Sequence, residues 1–198
     1  AISKLTLADN DSILSAGYED GHIIELSVDE TGSAKKCASF PRGLAWLESS
    51  PANVAVCETS GTVHLLDDSF SSVATAQSVR NRPFGRTGVL VDQGVVFNGS
   101  SGIQLLSVHG PEFLESMRHE EAFSCGVAHG NRVYLAHESG VITIINANDF
   151  TVVNQLATGV RLINEIAVSP DSNAVAIAGL LSHLEVWDLE TSEKIAGT

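Results

Sequence analysis

A unit of about 40 residues recurs five times along the chain, and this repeat limits the fold more than any other feature. Each copy has a turn, usually marked by glycine, then an alternating apolar strand, then a polar turn. The copies are EDGHIIELSVDETG (19–32), TSGTVHLLDDSFSS (59–72), SSGIQLLSVHGPEF (100–113), ESGVITIINANDFT (138–151) and LSHLEVWDLETSEK (181–194), the last without its glycine. The position of Trp187 is held in the other copies by Leu26, Leu66, Leu106 and Ile145, at spacings of 40, 40, 39 and 42. The position after it, Asp188, is held by Ser27, Asp67, Ser107 and Asn146, all small and polar.

Two further apolar runs precede each of these strands. The nearer is DSILSAGY, NVAVCET, GVVFNGS, NRVYLAH or NAVAIAG, and the farther is ISKLTL, GLAWLE, TGVLVD, FSCGVA or INEIAV. A more polar run follows, such as SAKKCASF or FTVVNQLA. Four short strands per unit result, joined by Gly, Ser, Asn and Asp turns such as ADNDS (8–12) and VSPDSN (168–173). Helical periodicity is nearly absent. The segment PEFLESMRHEEA (111–122) could be read as a helix, but its place in the repeat makes it an outer strand and a loop.

A four-stranded sheet of this size cannot bury both faces alone, whereas radial stacking covers each sheet with its neighbours. The expected architecture is an all-β propeller of about five four-stranded blades in one domain, with repeats at about 1–40, 41–80, 81–119, 120–159 and 160–198. The ring is either closed with five blades or part of a larger one. The second is preferred, because both ends fall at repeat boundaries and residue 1 is Ala1. On that expectation the terminal blades present apolar faces to additional blades or to a partner.

The best copy, INEIAVSPDSNAVAIAGLLSHLEVWDLETSEK (163–194), resembles the repeat of the WD-repeat propeller family over nearly its full length. The resemblance extends through the chain by spacing more than by identity. It implies a propeller of WD-like blades and carries no catalytic residues. In the family, Gly-His at the repeat start, a turn aspartate, a strand hydroxyl and the Trp form a hydrogen-bonded network. Here no repeat starts with Gly-His, and only Asp20 offers the turn aspartate. The expectation is therefore blades held by apolar packing. Trp46 is expected in the core. Trp187 is expected to fill the space between blades, and truncating it to Ala should cost about 3–5 kcal/mol.

Composition narrows the function classes. A formal charge of −13 disfavours direct binding of nucleic acid unless the 11 Lys and Arg are gathered in one place. Cys37, Cys57 and Cys125 are odd in number and lack C-x-x-C spacing, which suggests neither a disulfide framework nor zinc. With no signal-peptide pattern and no apolar run of about 18–20 residues, the expected location is intracellular, cytoplasmic or nuclear, with no membrane span. The sequon at Asn98 is read as a turn.

No cofactor, metal site or catalytic set is expected. There is no G-x-S-x-G, no H-E-x-x-H and no phosphate-binding glycine loop. The Asp9-Asn10-Asp11 run lacks the glycine and distal glutamate of a calcium loop. The seven histidines are scattered, and the inner-strand runs offer almost no carboxylates apart from Glu165.

The arginines are not scattered. Arg42, Arg80, Arg82, Arg86, Arg118 and Arg161 all fall in segments that join an outer strand to the next inner strand, and only Arg132 does not. In a propeller these connections emerge on one rim, here with Phe40, Phe84 and Tyr18 nearby. Arginine suits bidentate recognition of carboxylate or phosphate, and Arg with aromatics is the composition of interface hot spots. The competing reading pairs each Arg with a neighbouring loop carboxylate, as with Arg118 beside Glu120 and Glu121. The expected function is a non-enzymatic scaffold in a multiprotein complex, its rim docking an acidic or phosphorylated segment. The alternatives are a propeller hydrolase or lyase with a site at the central channel, and an RNA-associated scaffold. Docking to a cullin ligase is not expected, because Glu190 stands where that variant of the family has an Arg.

Overall fold

The computed structural model describes residues 2–8, 13–18, 20–27, 34–50, 53–67, 69–78, 88–99, 102–114, 121–180 and 183–198. Side chains are described for all of these except 2–8, 13, 14, 27, 34–37 and 113. The turn at Asp9–Asp11 lies outside the described residues.

The described residues form five four-stranded sheets, each a meander in chain order. Blade 1 is β1 (Ile2–Ala8), β2 (Ile13–Tyr18), β3 (His22–Ser27) and β4 (Ala34–Ser39). Blade 2 is β5 (Leu44–Ser49), β6 (Val54–Glu58), β7 (Thr62–Leu66) and β8 (Ser72–Gln77). Blade 3 is β9 (Gly88–Val91), β10 (Gly94–Gly99), β11 (Gly102–Ser107) and β12 (Gly110–Phe113). Blade 4 is β13 (Phe123–His129), β14 (Arg132–His137), β15 (Val141–Asn146) and β16 (Val152–Ala157). Blade 5 is β17 (Ile163–Val168), β18 (Ala174–Gly179), β19 (Leu184–Asp188) and β20 (Lys194–Gly197). The segment at 111–122 thus supplies the outer strand β12 and no helix among its described residues.

The chain divides into two compact units. Unit 1 comprises 1–83, 90–100 and 104–112. Within it the inner strand β1 lies beside the next inner strand, β5. Its interior has two clusters. Trp46, Cys57, Val63, Leu65, Val95, Phe97 and Leu106 form one, and Ile23, Phe40, Leu44, Val56, Leu66 and Phe70 the other. Trp46 is buried in the first, as its sequence position suggests. Unit 2 comprises 84–89, 101–103 and 113–198. In it β13 lies beside β17, and one cluster built on Tyr134, Ile142, Ile144, Ile163, Val175 and Ile177 joins blades 4 and 5. Adjacent inner strands with a shared apolar layer between successive sheets are the packing that a propeller requires.

The repeat extends to details of register. In blades 1, 2, 4 and 5 the first strand carries a bulge at the same place, opposite Tyr18, Glu58, His137 and Gly179. The extra residue is small or polar each time: Ser3, Ala45, Ser124 and Asn164. A bulge bends the strand and increases its twist. In blades 2, 4 and 5 the outer strand has a second bulge beside the Trp187 position, at Val73, Val153 and Ile195. These bulges interrupt outer edges that would otherwise offer regular hydrogen-bonding ladders to another chain.

The Trp187 position behaves differently from blade to blade. Leu66, Leu106 and Ile145 are fully enclosed, whereas Trp187 is half-buried. It does pack against the layer between blades 4 and 5. Its half-exposure brings the cost of truncation below the value expected for full burial.

The position of Asp188 has one task in four blades. The side chains of Asp67, Ser107, Asn146 and Asp188 each accept a hydrogen bond from the backbone N–H two residues on, at Ser69, His109, Asn148 and Glu190. These Asx- and Ser-type turns explain why the position is small and polar. The VSPDSN turn is closed in a related way. There the Ser169 hydroxyl donates to Asp171, which accepts from the Asn173 N–H.

Two blades also hold buried polar groups where apolar packing alone was expected. In blade 4, His137 Nε2 lies 2.9 Å from the Thr143 hydroxyl, and both residues are buried. In blade 5, Glu185 accepts from Trp187 Nε1 at 2.8 Å and from Lys194 Nζ at 3.2 Å. Neither set has the composition of the WD-repeat network, and other buried polar atoms, Trp46 Nε1 and the Tyr134 hydroxyl among them, have no hydrogen-bond partner among the described residues. The Ser124 hydroxyl, at the bulge of β13, reaches both the Ala136 carbonyl of its own blade and the Ile163 carbonyl of the next.

Candidate interaction rim

The glycine turn between second and third strands organises one end of the blades. Gly21, Gly61 and Gly140 close four-residue turns by donating to the carbonyls of Tyr18, Glu58 and His137. Each glycine carbonyl then accepts the N–H of a residue at the end of the outer strand, Phe40, Ser78 and Thr158 respectively, at 2.8–2.9 Å. At Gly21 (φ +87°) a Cβ would collide with the Phe40 carbonyl, and at Gly140 (φ +92°) it would lie 2.6 Å from the Val160 carbonyl. The glycine is therefore required both by backbone conformation and by the close approach of the outer-strand exit.

The arginine-bearing connections start from these anchored exits. Arg42 follows Phe40 by two residues and is exposed, and its carbonyl accepts the Thr59 hydroxyl. Arg161 follows Thr158 by three residues and is exposed, just before β17. Among the described residues neither guanidinium has an ion pair. Tyr18 is half-buried and forms the first corner of its glycine turn. Arg80, Arg82, Phe84, Arg86 and Arg118 lie outside the described residues. The connection holding Arg80, Arg82 and Arg86 leaves from Ser78, whose N–H and hydroxyl are bound by the carbonyls of Gly61 and Asn98.

Phe40, an expected neighbour of the arginines, is buried rather than presented. Its ring is tilted by 53° against His64, with centroids 4.9 Å apart. Burial holds the His64 imidazole below the usual histidine range, opposed by the nearby Glu58 carboxylate. Cys57 and Cys125 are buried, and burial followed by the Glu58 charge pushes the Cys57 thiol up to about 12. A thiol so held has little nucleophilic character.

The opposite end of the blades is anionic. Asp67, Asp149, Asp171 and Asp188 sit in turns there, and all four carboxyls are held below the usual range by turn hydrogen bonds. The leading donors are the Ser69 hydroxyl, the Thr151 N–H, the Ser169 hydroxyl and the Thr191 N–H, in that order. Within each unit, acids are anchored in the turns at one end of the strands, and an exposed arginine, Arg42 in unit 1 and Arg161 in unit 2, stands at the other. Sequence spacing could not tell that Phe40 would turn inward.

Among the described residues, no group of three or more His, Cys, Asp or Glu could hold a metal ion. The described inner strands carry one carboxylate in each unit, Glu48 on β5 and Glu165 on β17. No described helix is long and apolar enough to cross a membrane.

No protein-family model and no curated protein sequence matches the chain. Solved structures do match. A structure of BamB from Moraxella catarrhalis is similar with a TM-score of 0.69 and 17% identity, covering 100% of this chain and 64% of BamB. A chain of a mitotic checkpoint complex structure is similar with a TM-score of 0.74 and 14% identity, at 100% and 63% coverage. Both are β-propellers, and this chain spans a little under two thirds of the length of each. At these identities the likeness shows the fold: the protein is a β-propeller of five four-stranded blades among its described residues.

Proposed function

We propose that the chain is a non-enzymatic interaction scaffold of the WD-repeat kind, acting as part of an intracellular multiprotein complex. In each unit the binding surface is the glycine-turn end of its blades, and the ligand is an acidic or phosphorylated segment of a partner. The observation that carries this reading is the exposure of Arg42 and Arg161, without ion pairs among the described residues, beside backbone anchors that recur from blade to blade. A backbone anchored beforehand spares the loop-ordering part of the cost of binding and leaves only the side-chain part. Neither unit's described inner strands hold the carboxylate pair that a hydrolase or lyase site on the axis would use. Similarity to propellers from BamB and from a mitotic checkpoint complex agrees with an assembly role. The half-open face of blade 5 suits packing by additional blades or by a partner.

Charge reversal of Arg42, Arg80, Arg82, Arg86 and Arg161 to Glu tests the proposal by affinity capture and mass spectrometry on the full-length protein. Partner capture should be lost while the melting temperature stays nearly unchanged. An equal loss of stability would show that the arginines neutralise their own loops. Capture of RNA, lost on raising the salt, would favour the nucleic-acid alternative.

A further inference from the structure

At the end of unit 2 away from Arg161, a cleft of about 460 Å³ opens between blades 4 and 5. One wall is the β13–β14 hairpin, with His129, Asn131 and Arg132. The other is formed by Ser172 and Asn173 in the β17–β18 turn and by Leu189 and Glu190 after β19. Arg132 is the arginine that falls outside the rim pattern.

Both walls are held in place before any ligand arrives. The Ala147 N–H donates to the Asn131 carbonyl, and the Leu189 N–H donates to the Asn173 carbonyl. The Asp188 carboxylate accepts the N–H groups of Glu190 and Thr191, and Asp171 accepts both the backbone and the side-chain amide of Asn173. His129 and Arg132 are direct cross-strand partners, which sets their side chains side by side on one face.

The charges across the cleft do not neutralise each other. Arg132 and Glu190 are both exposed, line opposite walls, and make no ion pair among the described residues. Half-buried Leu189 and the neutral groups of Asn131 and Ser172 complete the lining. The cleft therefore offers a cationic wall, an anionic wall and an apolar contact. A purely anionic ligand such as phosphate would meet Glu190, and a purely cationic one would meet Arg132.

From this complementarity we propose a second binding site, distinct from the arginine rim, for a short peptide segment of a partner protein. The segment has an acidic side chain for Arg132 and His129, an apolar side chain over Leu189 and a basic side chain for Glu190. Because the site lies at the opposite end of the unit 2 strands from Arg161, the cleft and that arginine can be occupied together. The proposal does not rest on the rim reading.

The test is a titration of the ¹⁵N-labelled full chain with the capped peptide acetyl-Glu-Ala-Leu-Lys-amide, followed by amide chemical shifts. Saturable shifts should be confined to the amides around 129–132, 172–173 and 189–190. Arg132→Gln should weaken binding about threefold or more, and raising the salt should weaken it further. The double reversal R132E with E190R should bind acetyl-Lys-Ala-Leu-Glu-amide in preference to the first peptide. Arg132 is exposed, so these variants should keep the parent melting temperature. The proposal is overturned if no saturable shift appears, if R132Q binds equally well, or if acetyl-Gln-Ala-Leu-Gln-amide binds as tightly. Loss of binding after Arg161→Glu would also overturn it, because the two ends of unit 2 would then not be separate.

Discussion

In blade 4 the second and third strands are buried almost without a break, through Val133–His137 and Ile142–Ile145, so both faces of the sheet are covered. In blade 5 the same strands alternate. Val175 and Ile177 are inaccessible on the face toward blade 4, while Ala174, Ala176 and Ala178 on the other face are half-buried. Leu184, 49% exposed, stands on that outer face with half-buried Val186. The strand plan is the same, so the difference lies in what lies against each face. A propeller blade takes its stability from neighbours as much as from its own residues.

Equivalent positions in the two blades should therefore respond unequally to truncation. Ile145→Ala in blade 4 should destabilise by about 2–5 kcal/mol, with transfer and cavity costs both applying. Trp187→Ala in blade 5, although it removes more atoms, should cost only about 2 kcal/mol because the indole is half-buried. Denaturant unfolding read blade by blade through amide exchange would decide. Equal losses would mean that blade 5 is as well supported as blade 4.

A smaller effect separates two glycines of blade 4. Gly140→Ala combines a left-handed backbone with a Cβ 2.6 Å from the Val160 carbonyl, and should cost about 1–3 kcal/mol. Gly130, at φ +56°, faces open space, and Gly130→Ala should cost about 1 kcal/mol. Should the two prove equal, docking of the outer-strand exit onto the glycine turn would contribute nothing beyond backbone conformation.

The smallest difference concerns acid. Burial pushes the Glu185 carboxyl up, but hydrogen bonds from Trp187 and Lys194, the Lys194 charge and the Gly159 N–H outweigh it and leave the group below the usual glutamate range. Its contribution is therefore complete above the ordinary glutamate pKa of about 4.3 and disappears as pH falls through the lower folded value. Blade 5 should loosen in that window before blade 4, whose polar pair is His137 with Thr143. Glu185→Gln should remove this part of the acid transition while lowering stability at pH 7. Thr143→Val should lower stability at both pH values. Amide exchange at pH 7 and pH 3.5 would expose a failure of either expectation.

Much of the fold was legible along the chain because the repeat is local. Forty residues suffice to show four alternating strands, a glycine after the second strand in four of the five copies, and a small polar residue that opens the turn after the third. The same ruler puts Arg42 and Arg161 in the connections between successive blades, and both residues are exposed. What could not be read locally depends on partners one repeat away. Phe40 turns inward onto His64, and Ser124 reaches a carbonyl of the next blade. The cleft containing Arg132 and Glu190 exists only because turns some 60 residues apart meet there.

The sequence by itself determined the number and order of strands, the placement of turns and the class of residue at each repeat position. These depend on backbone conformation and on the alternation of a pleated strand, both settled within a few residues. The tertiary structure alone decided which equivalent residues are enclosed, where the recurring bulges fall, and how each blade satisfies its buried polar atoms. The reason is physical: burial and polar satisfaction belong to the space between sheets, and a residue's own sequence neighbours do not fill that space.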